Sequence, residues 1–337
     1  MKVGIIGAGL QGKRRASVFP TREGSRVEAV ACGHANDLRS TRELAGAINA
    51  KAYANWQDVV SDPNIDAVIV CTPPHLHGEI SIASMEAGKH VLCEKPLART
   101  IDEAAEMVSK ARETGMVLKC GFNHRHHPAI LQVRKWIDSS LLGELDFARC
   151  RYGICGRVGY ENEWRANPKL VGGGQLMEQG IHGIDLFRWF LGHLTEVTAF
   201  VGTMYWKINP LEDNAFVLLR SPNGRVADLH SSLMLWKNTF SFEIFGHEGY
   251  ASVDGLGGSY GVERAVLGKR DFDKPFAEEI IEYRGQDQSW KNEWTEFEAA
   301  IRESREPLGS AQDGLEAMRL VQAAYESNRT RSVIRIS

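Results

Sequence analysis

The run Gly7-Ala8-Gly9-Leu10-Gln11-Gly12 limits most sharply what this chain can fold into. It follows the apolar stretch Lys2–Ile6 and leads into KRRASVF, which reads as a helix. An apolar stretch without alternation suits a strand buried on both faces. Strand, glycine-rich turn and helix in that order form a dinucleotide-binding fingerprint. Gly7 permits the tight turn, Gly9 lets a pyrophosphate approach the main chain, and Gly12 lets helix and strand pack closely. The phosphates are expected beside Leu10 and Gln11, where the amides that open the helix have no internal partner.

A second strand, Val27–Cys32, ends at Gly33-His34-Ala35-Asn36. An acid at the end of this strand would hold the ribose 2′-hydroxyl of NAD. None stands there: Asp37 comes four residues past the glycine, and Arg39 and Arg42 follow. Gly33, His34 and Arg39 are therefore candidate contacts to the adenosine, with a lean toward NADP and NAD left open. A surface loop with solvated arginines is the alternative. The alternation of strand and helix continues through AVIVC, SIASMEAG, HVLCEKP, a helix opened by the capping box Thr100-x-x-Glu103, and MVLKCGF. Repeated units of this kind predict a parallel, doubly wound sheet with ligands at its C-terminal strand ends. Three clusters fall at those ends: Thr72-Pro73-Pro74-His75-Leu76-His77, Glu94-Lys95-Pro96, and Asn123-His124-Arg125 after the fifth strand read from the sequence. Thr72, Pro73, His75, His77, Glu94, Lys95 and Asn123 are candidate cofactor contacts. Arg125 is a candidate substrate contact, and a polar loop is the alternative for Asn123 and Arg125.

Composition narrows the class. A chain of 337 residues suggests two domains, and 43% hydrophobic with 25% charged residues is ordinary for a globular protein. A net charge of −3 lacks the basic excess of a nucleic-acid binder. The six cysteines form no C-x-x-C pair, so buried thiols in a reducing cytoplasm are expected rather than disulfides or zinc. No apolar run approaches the ~20 residues of a membrane span.

After Phe122 the pattern changes. LDFARCRYGI, VTAFVGTMYW, NAFVLLRS, RVADLHSSLML, TFSFEIFG and YASVDG read as strands of an antiparallel sheet with one covered face. Tyr205, Trp206, Leu233, Leu235 and Trp236 would extend an apolar outer face toward a partner subunit, or pack under helices of the same chain. Two amphipathic helices, QSWKNEWTEFEAAIRE and DGLEAMRLVQAAYESNRT, close the chain. Between the first and second of these strands lies GGGQLMEQGIHGID, in which Glu178 and His182 would share one helix face and Asp185 would lie a turn on. Leu176, Ile184, Phe187 and Leu191 would face the core, while Glu178, His182 and Asp185 face the cleft as candidate substrate contacts beside Lys95. Gly180 and Gly183 inside that helix each cost about 1 kcal/mol against alanine. Close approach by a substrate or tight packing against a strand would account for them.

GAGLQG, TPPHLH, Glu94-Lys95-Pro96 and GGGQLMEQGIHGID, in this order, resemble the Gfo/Idh/MocA oxidoreductases over nearly the whole chain. The resemblance implies an N-terminal Rossmann domain over 1–122. It also implies an α+β domain over 123–337 with an open, mostly antiparallel sheet for substrate binding and oligomerisation. It further implies NAD(P)-linked oxidation or reduction of sugars, inositols or nucleotide-sugars, in homodimers or homotetramers packed through the sheets. By position, Lys95 matches the family's active-site lysine and His182 its acid/base histidine. Glu178 stands where aspartate is usual, and Asp185 matches the motif's last acid. The substitution of Glu for Asp leaves open whether Glu178 contacts substrate or orients His182. Trp164-Arg165 matches a Trp-Arg pair of relatives, with Arg165 a candidate for a cofactor phosphate or carboxamide and Trp164 either core or platform. Arg151, Arg157 and Arg165 make a nucleotide-sugar substrate conceivable.

The trio Glu178, His182, Asp185 would hold a metal, move a proton or form an ion pair. A catalytic zinc site needs three protein ligands and an open position, and no further His/Cys cluster has ligand spacing, so no metal is expected. A nicotinamide leaves one alcohol proton to be moved, which imidazole suits at neutral pH. Lysine at the reacting oxygen suits its electrostatic bias. The expected enzyme is thus an NAD(P)-dependent dehydrogenase or reductase of a sugar-type alcohol. An NAD-using glycosidase or a non-catalytic dinucleotide sensor on the same fold are the alternatives.

Overall fold

In the computed structural model, which describes residues 1–19, 24–33, 38–274 and 277–336, the chain divides into two units. The first comprises Met1–Phe122 with Lys169–Gly172 and Trp290–Leu315; the second comprises Asn123–Pro168, Gly173–Ser289 and Glu316–Ser337. His34, Asn36 and Asp37, part of the expected adenosine loop, lie outside the described residues.

The first unit alternates β1 (Lys2–Ile6), α1 (Leu10–Ala16), β2 (Arg26–Ala31), α2 (Leu38–Ala47), β3 (Lys51–Tyr53), α3 (Trp56–Ser61), β4 (Ala67–Val70), α4 (His77–Glu86), β5 (His90–Cys93), α5 (Ile101–Thr114) and β6 (Leu118–Cys120). The strands pair in parallel in the order β3-β2-β1-β4-β5-β6, with the reversal of order at β1/β4 that opens a ligand crevice in such sheets. Val3, Ile5, Ile69 and Leu92 are fully buried, as strands covered on both faces require. The capping box of α5 forms as read: Thr100 accepts from the Glu103 amide, and the Glu103 side chain accepts from the Thr100 amide. Strand β3 escaped the sequence because it is three residues long with a largely exposed edge.

Sequence alone places Trp290–Leu315 in the second domain, whereas these residues are part of the first unit. Trp294 and Phe297 join Val3, Val27 and Leu44 in one hydrophobic cluster. Glu293, fully buried, receives Arg15 and also Lys119 at 3.4 Å. These contacts are long-range and leave no trace in local pattern.

The second unit is built on nine strands. In chain order its elements are α6 (Pro128–Asp138), β7 (Leu145–Cys155), α7 (Ile181–Leu191), β8 (Glu196–Gly202), β9 (Asn214–Arg220), β10 (Val226–Ser232), β11 (Met234–Gly246), β12 (Gly249–Asp254), β13 (Glu263–Lys269) and β14 (Glu278–Tyr283). Helix α8 (Ser289–Arg302), helix α9 (Ala311–Thr330) and β15 (Ile334–Arg335) follow in the chain. The sheet order is β14-β13-β12-β11-β7-β10-β9-β8-β15, antiparallel except for the β7/β10 pair. Helix α7 packs on β7 and β10, and Phe187 and Phe190 meet Phe242 of β11. The opposite face is open. Phe200, Phe216 and His230 form one cross-strand row, and Leu218 and Val226 stand exposed beside it. Of the residues expected on the outer face, Leu233 is instead core, and Trp206 packs over Gly156, while Tyr205 and Trp236 are exposed.

Candidate functional site

In the first unit the glycine-rich turn is shaped by what its glycines exclude. Gly7 has φ +102°, and a Cβ there would lie 2.7 Å from the Cys71 carbonyl. A Cβ on Gly12 would meet the Gly7 carbonyl oxygen at 2.0 Å. A Cβ on Gly9 would meet nothing within 4 Å, so the space over this residue is open, as a pyrophosphate against the main chain needs. Leu10 is exposed and Gln11 half-buried at the start of α1. Gly33, past the end of β2, lets the Thr72 methyl group approach; a Cβ there would lie 2.5 Å from it. These residues fit a dinucleotide. Arg39 does not point to one: its side chain is 93% exposed and paired with Glu43 one turn along α2.

At the ends of β4 and β5, several candidates are engaged with the fold itself. His77 is buried, with Nε2 at 2.7 Å from the Thr72 carbonyl and Nδ1 at 2.9 Å from that of Pro96. It ties the TPPH segment to the EKP segment. Burial pushes its pKa down. Pro73 leads into the short turn Pro74–Leu76, and the His75 amide donates to Leu170. Glu94 is buried and accepts from Arg15 Nε at 2.8 Å. Trp290 lies 4.6 Å from the Arg15 guanidinium. Next to this anchored carboxylate, Lys95 is half-buried at the strand end.

In the second unit, Glu178 lies in a π-helical turn, Leu176–Gly180, that opens α7. Arg165 Nε donates to Glu178 Oε1 at 2.6 Å and the Tyr160 hydroxyl donates to Oε2 at 3.2 Å. Burial, and then the charge of Glu178, push the Tyr160 pKa far up, so the phenol stays a donor. Trp164 is about a third exposed and lies 4.3 Å from the guanidinium of Arg165. The turn itself is held by Glu212, which accepts from the Gly174 and Leu176 amides and from Tyr325. Asp185 was expected to face a cleft beside His182. It is instead fully buried, with both oxygens taken by Arg125 Nε and Nη2 at 2.8 and 2.6 Å. A charge two turns into a helix that packs on a sheet needs such a partner. Leu176, Ile184, Phe187 and Leu191 are core, as their periodicity indicates.

Gly180 and Gly183 have a packing cause. A Cβ on Gly180 would lie 2.8 Å from Leu176 and 3.0 Å from Ser231; one on Gly183 would lie 2.9 Å from Leu229 and 3.2 Å from Cys150. Leu176 of the same turn and strands β7 and β10 account for both.

His182 is 3% exposed, and its ring stacks on that of His124, with centroids 3.8 Å apart and planes 21° from parallel. His124 was not singled out from the NHRHHP run. Its signal is an encounter between residues 58 positions apart, as 182 − 124 gives, with no local periodicity. Asn123, expected at a cofactor, holds His124: Oδ1 faces His124 Nδ1 at 3.2 Å while Nδ2 donates to Ser289 Oγ at 3.0 Å. His127 pairs with Glu263 at 2.9 Å and His247 with Asp146 at 3.0 Å. No group of three or more His, Cys, Asp or Glu able to hold a metal exists among the described residues. Nor is any described helix long and apolar enough to cross a membrane.

Comparison with known proteins gives two family matches. Residues 1–122 match the oxidoreductase family with the NAD-binding Rossmann fold, and residues 130–252 match the GFO/IDH/MocA C-terminal domain. The chain is similar to levoglucosan dehydrogenase of Pseudarthrobacter phenanthrenivorans, with 27% identity over 74% of this chain and 72% of that one. It is also similar to myo-inositol 2-dehydrogenase of Thermotoga maritima, with 27% identity over 97% and 96%. A solved structure of levoglucosan dehydrogenase with NADH and levoglucosan shares the fold, with a TM-score of 0.88, 24% identity, and coverage of 100% of this chain and 99% of that one.

Proposed function

The chain belongs to the GFO/IDH/MocA oxidoreductase family, and from that membership we propose that it oxidises a secondary alcohol of a sugar or inositol, or reduces the matching ketone. Relatives over most of its length act on levoglucosan and myo-inositol. The reading is carried by the open dinucleotide cradle at Gly9 in the first unit; a buried imidazole, His182, on the motif helix of the second unit supports it. When bound, the nicotinamide dinucleotide supplies the hydride chemistry. The chain's own residues move the proton and hold the reacting oxygen.

His182 serves as general base in oxidation and general acid in reduction, because imidazole changes charge near neutral pH. Lys95 donates a hydrogen bond to the reacting oxygen and favours charge developing there. Glu178, held by Arg165 and the Tyr160 phenol, orients polar groups around the substrate rather than shuttling a proton. Arg125 and Asp185 fix α7, so their part is to position His182. Gly7, Gly9, Leu10, Gln11, Gly12, Gly33, Thr72, Pro73 and His75 hold the dinucleotide, and His77 and Glu94 hold the loops that carry Thr72 and Lys95. Both NAD and NADP are accepted. No acid ends β2 among the described residues, and Arg39, committed to Glu43, gives a 2′-phosphate little. The open face with Phe200, Phe216, Leu218 and Val226 supports a homo-oligomer joined through the sheet, since contiguous exposed apolar surface of this kind marks association sites.

The test is turnover of levoglucosan and myo-inositol with both cofactors in the wild type, Lys95→Ala and His182→Ala. Loss of a positioned acid/base is expected to lower kcat by about 10²–10⁴ with dinucleotide still bound. A His182→Ala enzyme with wild-type kcat refutes the assignment. Net accumulation of reduced cofactor separates a dehydrogenase from a hydrolase that regenerates its cofactor.

A further inference from the structure

His124 lies in the short helical turn Asn123–His126 that precedes α6, and its ring is held from several sides. Tyr152 of β7 meets it edge-on at 5.0 Å, Phe240 of β11 at 5.6 Å and His127 at 5.6 Å. Asn123 holds its Nδ1, and Ser289 in turn holds Asn123. The ring is 5% exposed in residue terms and has little freedom to turn. Its one broad face lies parallel to His182 at 3.8 Å. A histidine side chain has two rotatable bonds, and its second torsion is broad and roughly two-fold rather than sharply staggered. A backbone helix alone therefore does not decide the plane of His182; the rings packed on it, His124 face to face at 3.8 Å and Tyr152 edge-on at 6.2 Å, bear on it.

We propose that His124 is a positioning residue for the reaction. Its ring face sets the plane of His182 and so the direction in which that imidazole presents a nitrogen to the reacting hydroxyl. The inference rests on the assignment of His182 as the proton-transfer group. The stacked plane is the feature that matters, so a flat apolar ring at 124 preserves it and a small side chain does not. Proton transfer is steep in geometry, and a displacement of about 1 Å costs up to about 10²-fold in rate.

The experiment compares His124→Phe and His124→Ala with the wild type in two readouts. In the first, histidine-labelled protein is observed by NMR without substrate. The ring signal of His182, assigned by its loss in His182→Ala, is expected to move in His124→Ala as the stacked ring is removed, and to stay close to wild type in His124→Phe. An unmoved His182 signal in a folded His124→Ala protein overturns the proposal, whatever the kinetics. In the second, levoglucosan and myo-inositol turnover is measured. Expected is a kcat lowered roughly 10- to 100-fold in His124→Ala with the KM for cofactor unchanged, and recovery to within about threefold in His124→Phe. A general loss of structure would instead change kcat, both KM values and thermal stability together, without selective recovery by Phe, and that result overturns the proposal as well. A His182→Ala enzyme that retains kcat strikes at the assignment of the base; the ring-shift result still decides whether His124 sets the plane.

Discussion

The Arg125–Asp185 pair separates a substrate-binding role from a positioning one. Both groups are buried, 3% and 0% exposed, and two near-parallel hydrogen bonds join them. Removing one partner of such a pair leaves an uncompensated buried charge and costs about 3–5 kcal/mol. For a folded unit of about 150–250 residues each kcal/mol moves Tm by about 2–4 °C, so Arg125→Met is expected to lower Tm by roughly 6–20 °C. Arg125 also lies 5.5 Å from the Trp189 ring of α7, a contact that the methionine keeps only in part. The double variant Arg125→Met/Asp185→Leu removes both charges together and is expected to recover most of the loss, because apolar replacement of a whole buried pair is often close to neutral. The assay is thermal unfolding followed by far-UV circular dichroism, with Asp185→Leu alone as the third variant that closes a double-mutant cycle. A coupling of at least about 2 kcal/mol is expected. Sugar KM in the double variant should stay near wild type while kcat falls moderately, since α7 carries His182. The reasoning is refuted if the single variants melt within 2 °C or so of wild type and sugar KM rises steeply. That outcome would make the pair a substrate contact that merely rests on itself without sugar.

Two further outcomes are expected. Glu263 accepts from His127 and from the Ala129 and Gly257 amides, and although burial alone would raise its pKa, the His127 hydrogen bond and charge and these amides hold it below its ordinary 4.5. A depressed carboxyl stabilises the fold above its unfolded value and loses that contribution as pH falls through its folded value. The Tm gap between wild type and Glu263→Gln should therefore be full at pH 6–8 and close below about pH 4.5; a gap constant down to pH 3 contradicts it. For the cofactor, kcat/KM with NAD and with NADP should change little in Arg39→Ala/Arg42→Ala, because Arg39 is solvated and paired with Glu43. A loss of NADP use alone would show that these arginines read the 2′-phosphate after all.

Much of the first unit was legible because its signals are local. GAGLQG, the buried strands and the Thr100 capping box each encode structure within a few residues. The second unit was legible as strands but not as a face. Phe200, Phe216 and Leu218 belong to an exposed surface only by virtue of the β8/β9/β10 register, and that register is set across the chain. Strands β13 and β14 went unread: β14, EEIIEY, is largely exposed and rich in acid, so its pattern is that of a polar segment. The candidate site divides the same way. Lys95 and His182 stand out by motif, whereas His124, Tyr160 and Arg15 reach their places through contacts 18 or more positions distant that local pattern does not contain.

The same long-range contacts bear on which group in the motifs moves a proton. Three acids are prominent in them: Glu94, Glu178 and Asp185. Each is engaged by an arginine elsewhere in the chain: Arg15, 79 positions away; Arg165, 13 away; and Arg125, 60 away. A guanidinium remains protonated at any physiological pH and cannot pass its proton on. A carboxylate oxygen that accepts from a guanidinium has that lone pair engaged in holding the fold together. Such pairs are well suited to fixing a helix or a loop and to setting a constant field. Proton exchange at neutral pH needs a group whose charge changes there, and on α7 and the turn that opens it the imidazole of His182 is the side chain of that kind. With the motif acids engaged by arginines, the proton-transfer role proposed for His182 predicts that the kcat of His182 variants, rather than of Glu178 or Asp185 variants, shows the larger loss.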